Sequence, residues 1–144
     1  MTRLHHVITV PRPIGEVFAF VADFSNLPEW DPGISRSSMV GPGPVGTGSE
    51  FEVVSSFAGR EVVMRYEVVT FDVPHRVVLE GSGSTIRAVD DIEFVEVAGG
   101  TEIDYTADLT LRGPLRFVQP LFRPAFTRVG RKAIAGLQTR FGEI

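Results

Sequence analysis

The sequence predicts an α+β fold, a curved antiparallel sheet of about seven strands wrapped on a long C-terminal helix, with two short helices after the first strand. Three observations lead there. From Ile34 to Arg112, runs of β-branched and aromatic residues alternate with tight turn clusters. After Gly113-Pro114 the spacing of apolar residues changes from two to three or four and stays so to Phe141. Between the first strand and the β-rich stretch, prolines frame a short segment of helical periodicity.

The elements follow in order. Arg3–Val10 is a strand, with Leu4, His6, Ile8 and Val10 on one face at period two. Pro11 and Pro13 end it, and Pro13 suits the first turn of a helix through Ala22, whose Ile14, Val17, Phe18 and Val21 share one side. Ser25 is placed to cap a second short helix through Trp30, stopped by Pro32 and Gly33. Six strands are expected next, at Ile34–Val40, Ser49–Phe57, Glu61–Phe71, Arg76–Gly81, Thr85–Val97 and Thr101–Leu111. The short turns between them imply hairpins and so an antiparallel meander. The last helix spans Leu115–Phe141, with Val118, Phe122, Phe126, Val129, Ala133, Leu137 and Phe141 in one stripe. Pro120 and Pro124 are each expected to remove a hydrogen bond and loosen its first half. A lone amphipathic helix cannot bury its stripe, and a sheet with one apolar face needs a cover. Packing the helix on the concave face satisfies both, and a strongly curved sheet leaves a gap along the helix that forms a pocket.

Composition bounds the function. The 144 residues fit one domain, 1–144, and 43% hydrophobic with 22% charged residues suits a packed core. There is no cysteine, which excludes disulfides, thiolate nucleophiles and cysteine-ligated metals. No basic start precedes an apolar run, and no stretch approaches the roughly 20 apolar residues of a membrane span, so a cytoplasmic protein is expected. Residues 1–112 carry 8 basic and 17 acidic side chains, whereas 113–144 carry 6 basic and 1 acidic. A basic terminal helix suits an anionic surface, but the plainer expectation is that it solvates and complements its own acidic sheet.

The opening Ile8-Thr-Val-Pro-Arg-Pro-Ile-Gly-Glu-Val-Phe-Ala-Phe-Val-Ala-Asp23, with Phe24-Ser-Asn-Leu-Pro-Glu-Trp-Asp31, resembles the polyketide cyclase/dehydrase-like branch of the START and birch-pollen-allergen (SRPBCC) superfamily. Val45-Gly-Thr-Gly48, Tyr66–Arg76 and Gly100–Tyr105 followed by Arg112-Gly-Pro-Leu115 agree in order. The resemblance covers nearly the whole chain and implies the helix-grip fold. It carries no catalytic signature, so no catalytic residue is assigned.

Gly41-Pro-Gly-Pro-Val-Gly46 has dinucleotide-binding spacing, but the prolines remove N–H groups and a strand follows, so a turn is expected. His5 and His6 are adjacent on a strand and cannot chelate together, and His75 has no partner at ligand spacing, so no metal and no cofactor are expected. His6 shares the inward face and reads as a buried histidine with one hydrogen-bond partner. Asp90 aligns with Ile86, Ala88, Ile92 and Phe94, which aims a carboxylate inward. Such a group either has a raised pKa and orients or protonates a ligand, or, the plainer expectation, is set at the rim by a bulge or paired with an arginine. Tyr66, aligned with Met64, and Tyr105 each bring an apolar ring and one hydroxyl inward, as ligand contacts or as core residues. Trp30 is a pocket-mouth contact or a plug. Phe51 on its strand and Phe122 and Phe126 on the helix are expected as pocket wall. Aromatic residues alternate with acids on the sheet, which disfavours nucleic acid. No nucleophile elbow is present.

The expected function is therefore binding of an apolar or aromatic, lipid- or polyketide-like small molecule between sheet and helix. The alternatives are a cofactor-free cyclase or dehydratase using a cavity acid or base, and docking to a partner or membrane through Arg116, Arg123, Arg128, Arg131 and Arg140. The oligomeric state is open.

Overall fold

The computed structural model describes residues 1–57 and 59–142. Its strands are β1 (Thr2–Val10), β2 (Ile34–Val40), β3 (Glu50–Phe57), β4 (Arg60–Asp72), β5 (Arg76–Ser82), β6 (Ile86–Val97) and β7 (Gly100–Leu111). Its α-helices are α1 (Ile14–Ala22) and α2 (Gln119–Phe141). The strands form one curved antiparallel sheet in the order β1-β7-β6-β5-β4-β3-β2. Consecutive hairpins produce all of that order except one step: β1 and β2 lie at opposite edges. The chain crosses between those edges through α1 and a 3₁₀ turn, Phe24–Glu29. The 41–49 segment between β2 and β3 is a loop. No helix among the described residues is long and apolar enough to cross a membrane.

The inner face of the sheet changes character along every long strand. One half packs solidly. There Val10, Val68, Ile92, Phe94 and Ile103 join Val17, Phe18 and Val21 of α1 in the core. Phe18 meets Phe71 and Phe94 edge-on, at 5.3 and 5.2 Å between centroids. Phe71 reaches that position because a bulge between Val68 and Thr70 shifts the inward phase of β4 from even to odd positions. The other half of the sheet carries equally inward residues on the same strands, yet these border open space. The outer face is dressed with cross-strand ion pairs, Arg3–Asp108 and Arg76–Asp91 at 2.8 Å, which are solvent-exposed and worth little individually.

The C-terminal segment departs from the expected single helix. Gly113–Val118 is a 3₁₀ turn, and the α-helix begins only at Gln119. Pro120 therefore falls in the first helical turn, where its missing N–H needs no acceptor, and only Pro124 lies in the helix interior. The start of α2 is fixed by buried Gln119. Its Oε1 accepts the Leu111 N–H at 3.1 Å, and its Nε2 donates to the Leu109 carbonyl at 2.8 Å and to Thr2 Oγ1 at 3.2 Å. The short helix after α1 also differs. It is 3₁₀, and its cap is Asp23 rather than Ser25, the carboxylate accepting the Ser25 N–H at 3.0 Å. This turn delivers Trp30 under the far half of α2, where Gly136 lies directly against the Trp30 carbonyl.

That approach leaves no room for a side chain at 136, because a Cβ there would overlap backbone oxygen. Gly136→Ala should lower stability by about 1–3 kcal/mol, as overpacked sites do. Urea unfolding of the variant checks this; an unchanged midpoint would show that α2 does not sit on Trp30.

Candidate functional site

Between the unfilled half of the sheet and α2 lies a cavity of about 540 Å³. That volume falls within the range of small-molecule sites. Most of its wall is apolar. Leu109 and Leu111 of β7, Val62 and Met64 of β4 and Leu4 of β1 contribute from the sheet, and Phe122, Phe126, Val129 and Ile134 from α2. Phe57, Phe122 and Phe126 form a three-ring cluster, with Phe57 and Phe126 stacked at 5.4 Å. These side chains are apolar for the same reason as core side chains: they alternate inward on strands or fall on the buried stripe of a helix.

The polar residues concentrate where the cavity meets the packed core. Along β6 the inward series runs Ile86, Ala88, Asp90, Ile92, Phe94, and Asp90 is the last to border the cavity. On β7 the last to border it is Tyr105, one inward position beyond Ala107, the register partner of Asp90, and just before fully buried Ile103. On β4 it is Tyr66, before Val68, and on β1 it is His6, before Ile8. His6 and Tyr105 are register partners. Four inward positions on four strands thus make a polar floor to an apolar cavity. Tyr66 has space for its ring because its register partner is Gly81, where any Cβ would strike the ring at 2.6 Å.

Asp90 is 8% exposed. Tyr105 Oη donates to its Oδ2 at 2.5 Å. Neither a bulge at the rim nor an arginine partner is found among the described residues, which corrects the plainer expectation for this residue: the β5–β6 and β6–β7 registers run unbroken through Asp90. Burial raises the Asp90 carboxyl to about 6, against the opposing effect of the Tyr105 hydrogen bond, with Asp31 and Asp108 adding smaller upward pushes. Burial likewise pushes both tyrosine hydroxyls well above their ordinary value, with the Asp90 charge next in size.

Trp30 lines the cavity beside the floor, its ring 6.3 Å from that of Tyr105 and nearly edge-on. It is buried, and its Nε1 is the one buried side-chain polar atom among the described residues without a hydrogen-bond partner. Phe51 is the exception among the expected wall residues. It is fully buried at the packed end, 6.1 Å from Phe24, and does not border the cavity. It and Tyr66 are register partners on paired strands, and Phe24 packs against both rings, at 6.1 and 5.2 Å, but only Tyr66 also borders the cavity. Strand periodicity does not single out Asp31, a second carboxylate on the cavity wall. Burial raises its pKa, opposed by the Gly33 N–H it accepts at 2.9 Å. Its signal was its place directly after Trp30 and before Pro32-Gly33, in a turn that points adjacent side chains to one region.

The basic terminal segment is not neutralised by the sheet. Arg140 meets Glu29 at 3.7 Å and lies over the Phe20 ring. Arg116, Arg123, Arg128, Arg131 and Lys132 have no carboxylate within ion-pair distance among the described residues, while the sheet's acids pair with the sheet's own arginines. Beside them Phe117 and Leu121 are 75% and 78% exposed. No group of three or more metal-ligating side chains occurs among the described residues.

Because the folded-state pKa of Asp90 is raised, its contribution to stability is complete below about pH 4 and is lost as pH rises through 6. Asp90→Asn removes that loss. Its stability relative to the parent should therefore rise by up to about 3 kcal/mol between pH 4 and pH 8. Urea unfolding at the two pH values measures this, and a pH-independent difference would show that Asp90 is not desolvated.

Comparison with known proteins places this architecture. No curated protein matches the chain. Among solved structures, the Zhui aromatase/cyclase from a Streptomyces species is similar at a TM-score of 0.76 and 15% identity, over 97% of this chain and 91% of that one. A START superfamily protein from Mycobacterium smegmatis is similar at 0.74 and 14%, over 97% and 94%. A protein from Thermus thermophilus is similar at 0.74 and 18%, over 97% and 95%. At such identities the likeness establishes the helix-grip fold alone. A family model described as polyketide cyclase / dehydrase and lipid transport matches residues 1–142.

Proposed function

The chain belongs to the polyketide cyclase / dehydrase and lipid transport family, and from its cavity we propose that it binds an apolar or aromatic small molecule between sheet and α2. The observation that carries this is the apolar cavity of about 540 Å³ with a polar floor at one end. Burial of the ligand's body supplies affinity, at roughly 25 cal/mol per Å² of apolar surface, and the floor supplies orientation. His6, Trp30, Met64, Tyr66, Asp90, Tyr105, Phe122 and Phe126 are the contacts assigned; Phe51 acts behind them as core. A cytoplasmic site of action fits this reading.

The same floor has the parts for acid–base work on a bound polyketide-like molecule. A carboxyl near 6 holds or gives up a proton close to neutral pH, and Tyr105 fixes its orientation. A cofactor-free cyclase or dehydratase is thus an extension of the binding reading, and it requires the binding step first.

The test is titration with an uncharged fluorescent dye, phenylnaphthylamine. Dye fluorescence should rise saturably with the parent protein. Ala107 lines the cavity on β7, so Ala107→Trp, with unchanged circular dichroism, should weaken binding at least about tenfold. Equal binding by the filled variant would place the dye elsewhere and overturn the reading.

A second reading has its own observation, the terminal cations that lack a carboxylate partner among the described residues, beside exposed Phe117 and Leu121. This combination suits the surface of an anionic membrane, where apolar side chains enter the interface and cations meet headgroups. Sedimentation with phosphatidylserine-containing vesicles should carry the protein down, and Phe117→Ser with Leu121→Ser should abolish this. Equal sedimentation with uncharged vesicles, or none, would contradict it.

A further inference from the structure

The floor also discriminates by charge. We propose that it accepts a ligand whose polar end is an uncharged or cationic hydrogen-bond donor, a hydroxyl or an amine, and rejects one ending in a carboxylate. This deepens the binding reading above and rests on it.

The argument is one of inventory. The groups facing the cavity's polar end are Asp90, Asp31, Tyr66, Tyr105, His6 and Trp30. Two are carboxyls. Tyr105 already gives its proton to Asp90 Oδ2, so it has none to offer a ligand anion. Asp90 Oδ1 accepts no side-chain or loop hydrogen bond among the described residues, and at the cavity wall it can accept one from a ligand donor. Asp31 lies close enough to add to the electrostatic cost of ionising Asp90, and it acts likewise on both tyrosines.

Positive charge is scarce at this end. Arg60 borders the cavity, but it is exposed on the strand end far from the floor. His6 is the one floor group able to carry positive charge, against two carboxyls. A ligand carboxylate would therefore bring a third acid into a low-dielectric site without a guanidinium or ammonium to meet it, and like charges at that range are strongly unfavourable. A hydroxyl or amine instead donates to Asp90. A hydroxyl can also accept from the Tyr66 hydroxyl or from the Trp30 Nε1–H, which has no partner among the described residues. The apolar walls then take the rest of the molecule. The cavity is by this reasoning unsuited to free fatty acids, although its walls resemble a fatty-acid pocket in composition.

The experiment uses three ligands that share one aromatic body: naphthylethylamine, naphthylethanol and naphthylacetic acid. Each displaces phenylnaphthylamine from the protein at pH 8. The amine and the alcohol should each bind at least about tenfold more tightly than the acid. Asp90→Asn and, separately, Asp31→Asn should narrow that gap, and either suffices if the other fails to fold. An acid that binds as tightly as the alcohol overturns the inference while leaving the binding reading intact. A gap unchanged in both variants also overturns it, by showing that the floor does not set the preference. If neither the dye nor any of the three binds, the binding reading falls and this inference with it.

Discussion

The hydrogen bond from Tyr105 to Asp90 marks the level at which the inner face of the sheet stops being core. Above it in β6 and β7, Ile92, Phe94 and Ile103 are packed to zero or near-zero exposure. Below it, Ile86, Ala107, Leu109 and Leu111 of the same strands and the same facing border open space. A buried carboxylate cannot be covered by apolar side chains without losing its solvation. Pressing α2 down until Phe126 met the floor would do that, and would leave the Tyr66 hydroxyl and the free oxygen of Asp90 with no partner. The polar floor therefore opposes collapse of the cavity, and Tyr105 limits what the floor costs while the cavity stays open.

The helix is held at a matching height by its two ends. At the start, Gln119 ties α2 to the end of β7 and the first residue of β1 through three hydrogen bonds. Near the far end, Gly136 rests on the Trp30 backbone, and Phe141 meets Phe20 at 5.3 Å. Between these supports the helix spans the hollow, presenting Phe122, Phe126, Val129 and Ala133 to it. The same side chains that read as a core stripe are here a roof. Trp30 joins roof and floor, since its backbone carries the helix while its ring lies against Tyr105.

Much of this was legible in the sequence, for reasons that are local. Period-two alternation identifies the inward residues of β1, β4, β6 and β7, and so points to His6, Tyr66, Asp90 and Tyr105. Alternation says which way a side chain points and nothing about what it meets there. Phe51 and Tyr66 illustrate the difference: both point inward on paired strands and both meet Phe24, yet the first is fully buried and the second borders the cavity. Asp31 was hidden because it sits in a turn without periodicity. Gln119 was hidden because a polar residue among apolar ones reads as solvent-facing unless its partners, here on β7 and β1, are known. The start of α2 is not legible because helical spacing continues through the 3₁₀ turn at Gly113–Val118, a geometry whose repeat is close to that of the α-helix.

A methyl-resolved NMR titration with naphthylethanol tests the open cavity and its use most directly. The methyls of Ala107, Leu109, Ala133 and Ile134 face the cavity from opposite walls. Saturable shifts on both sets together, with Leu121 unaffected, are the predicted result. Shifts confined to exposed methyls such as those of Leu121, or none at any ligand concentration, would contradict a ligand held between sheet and helix.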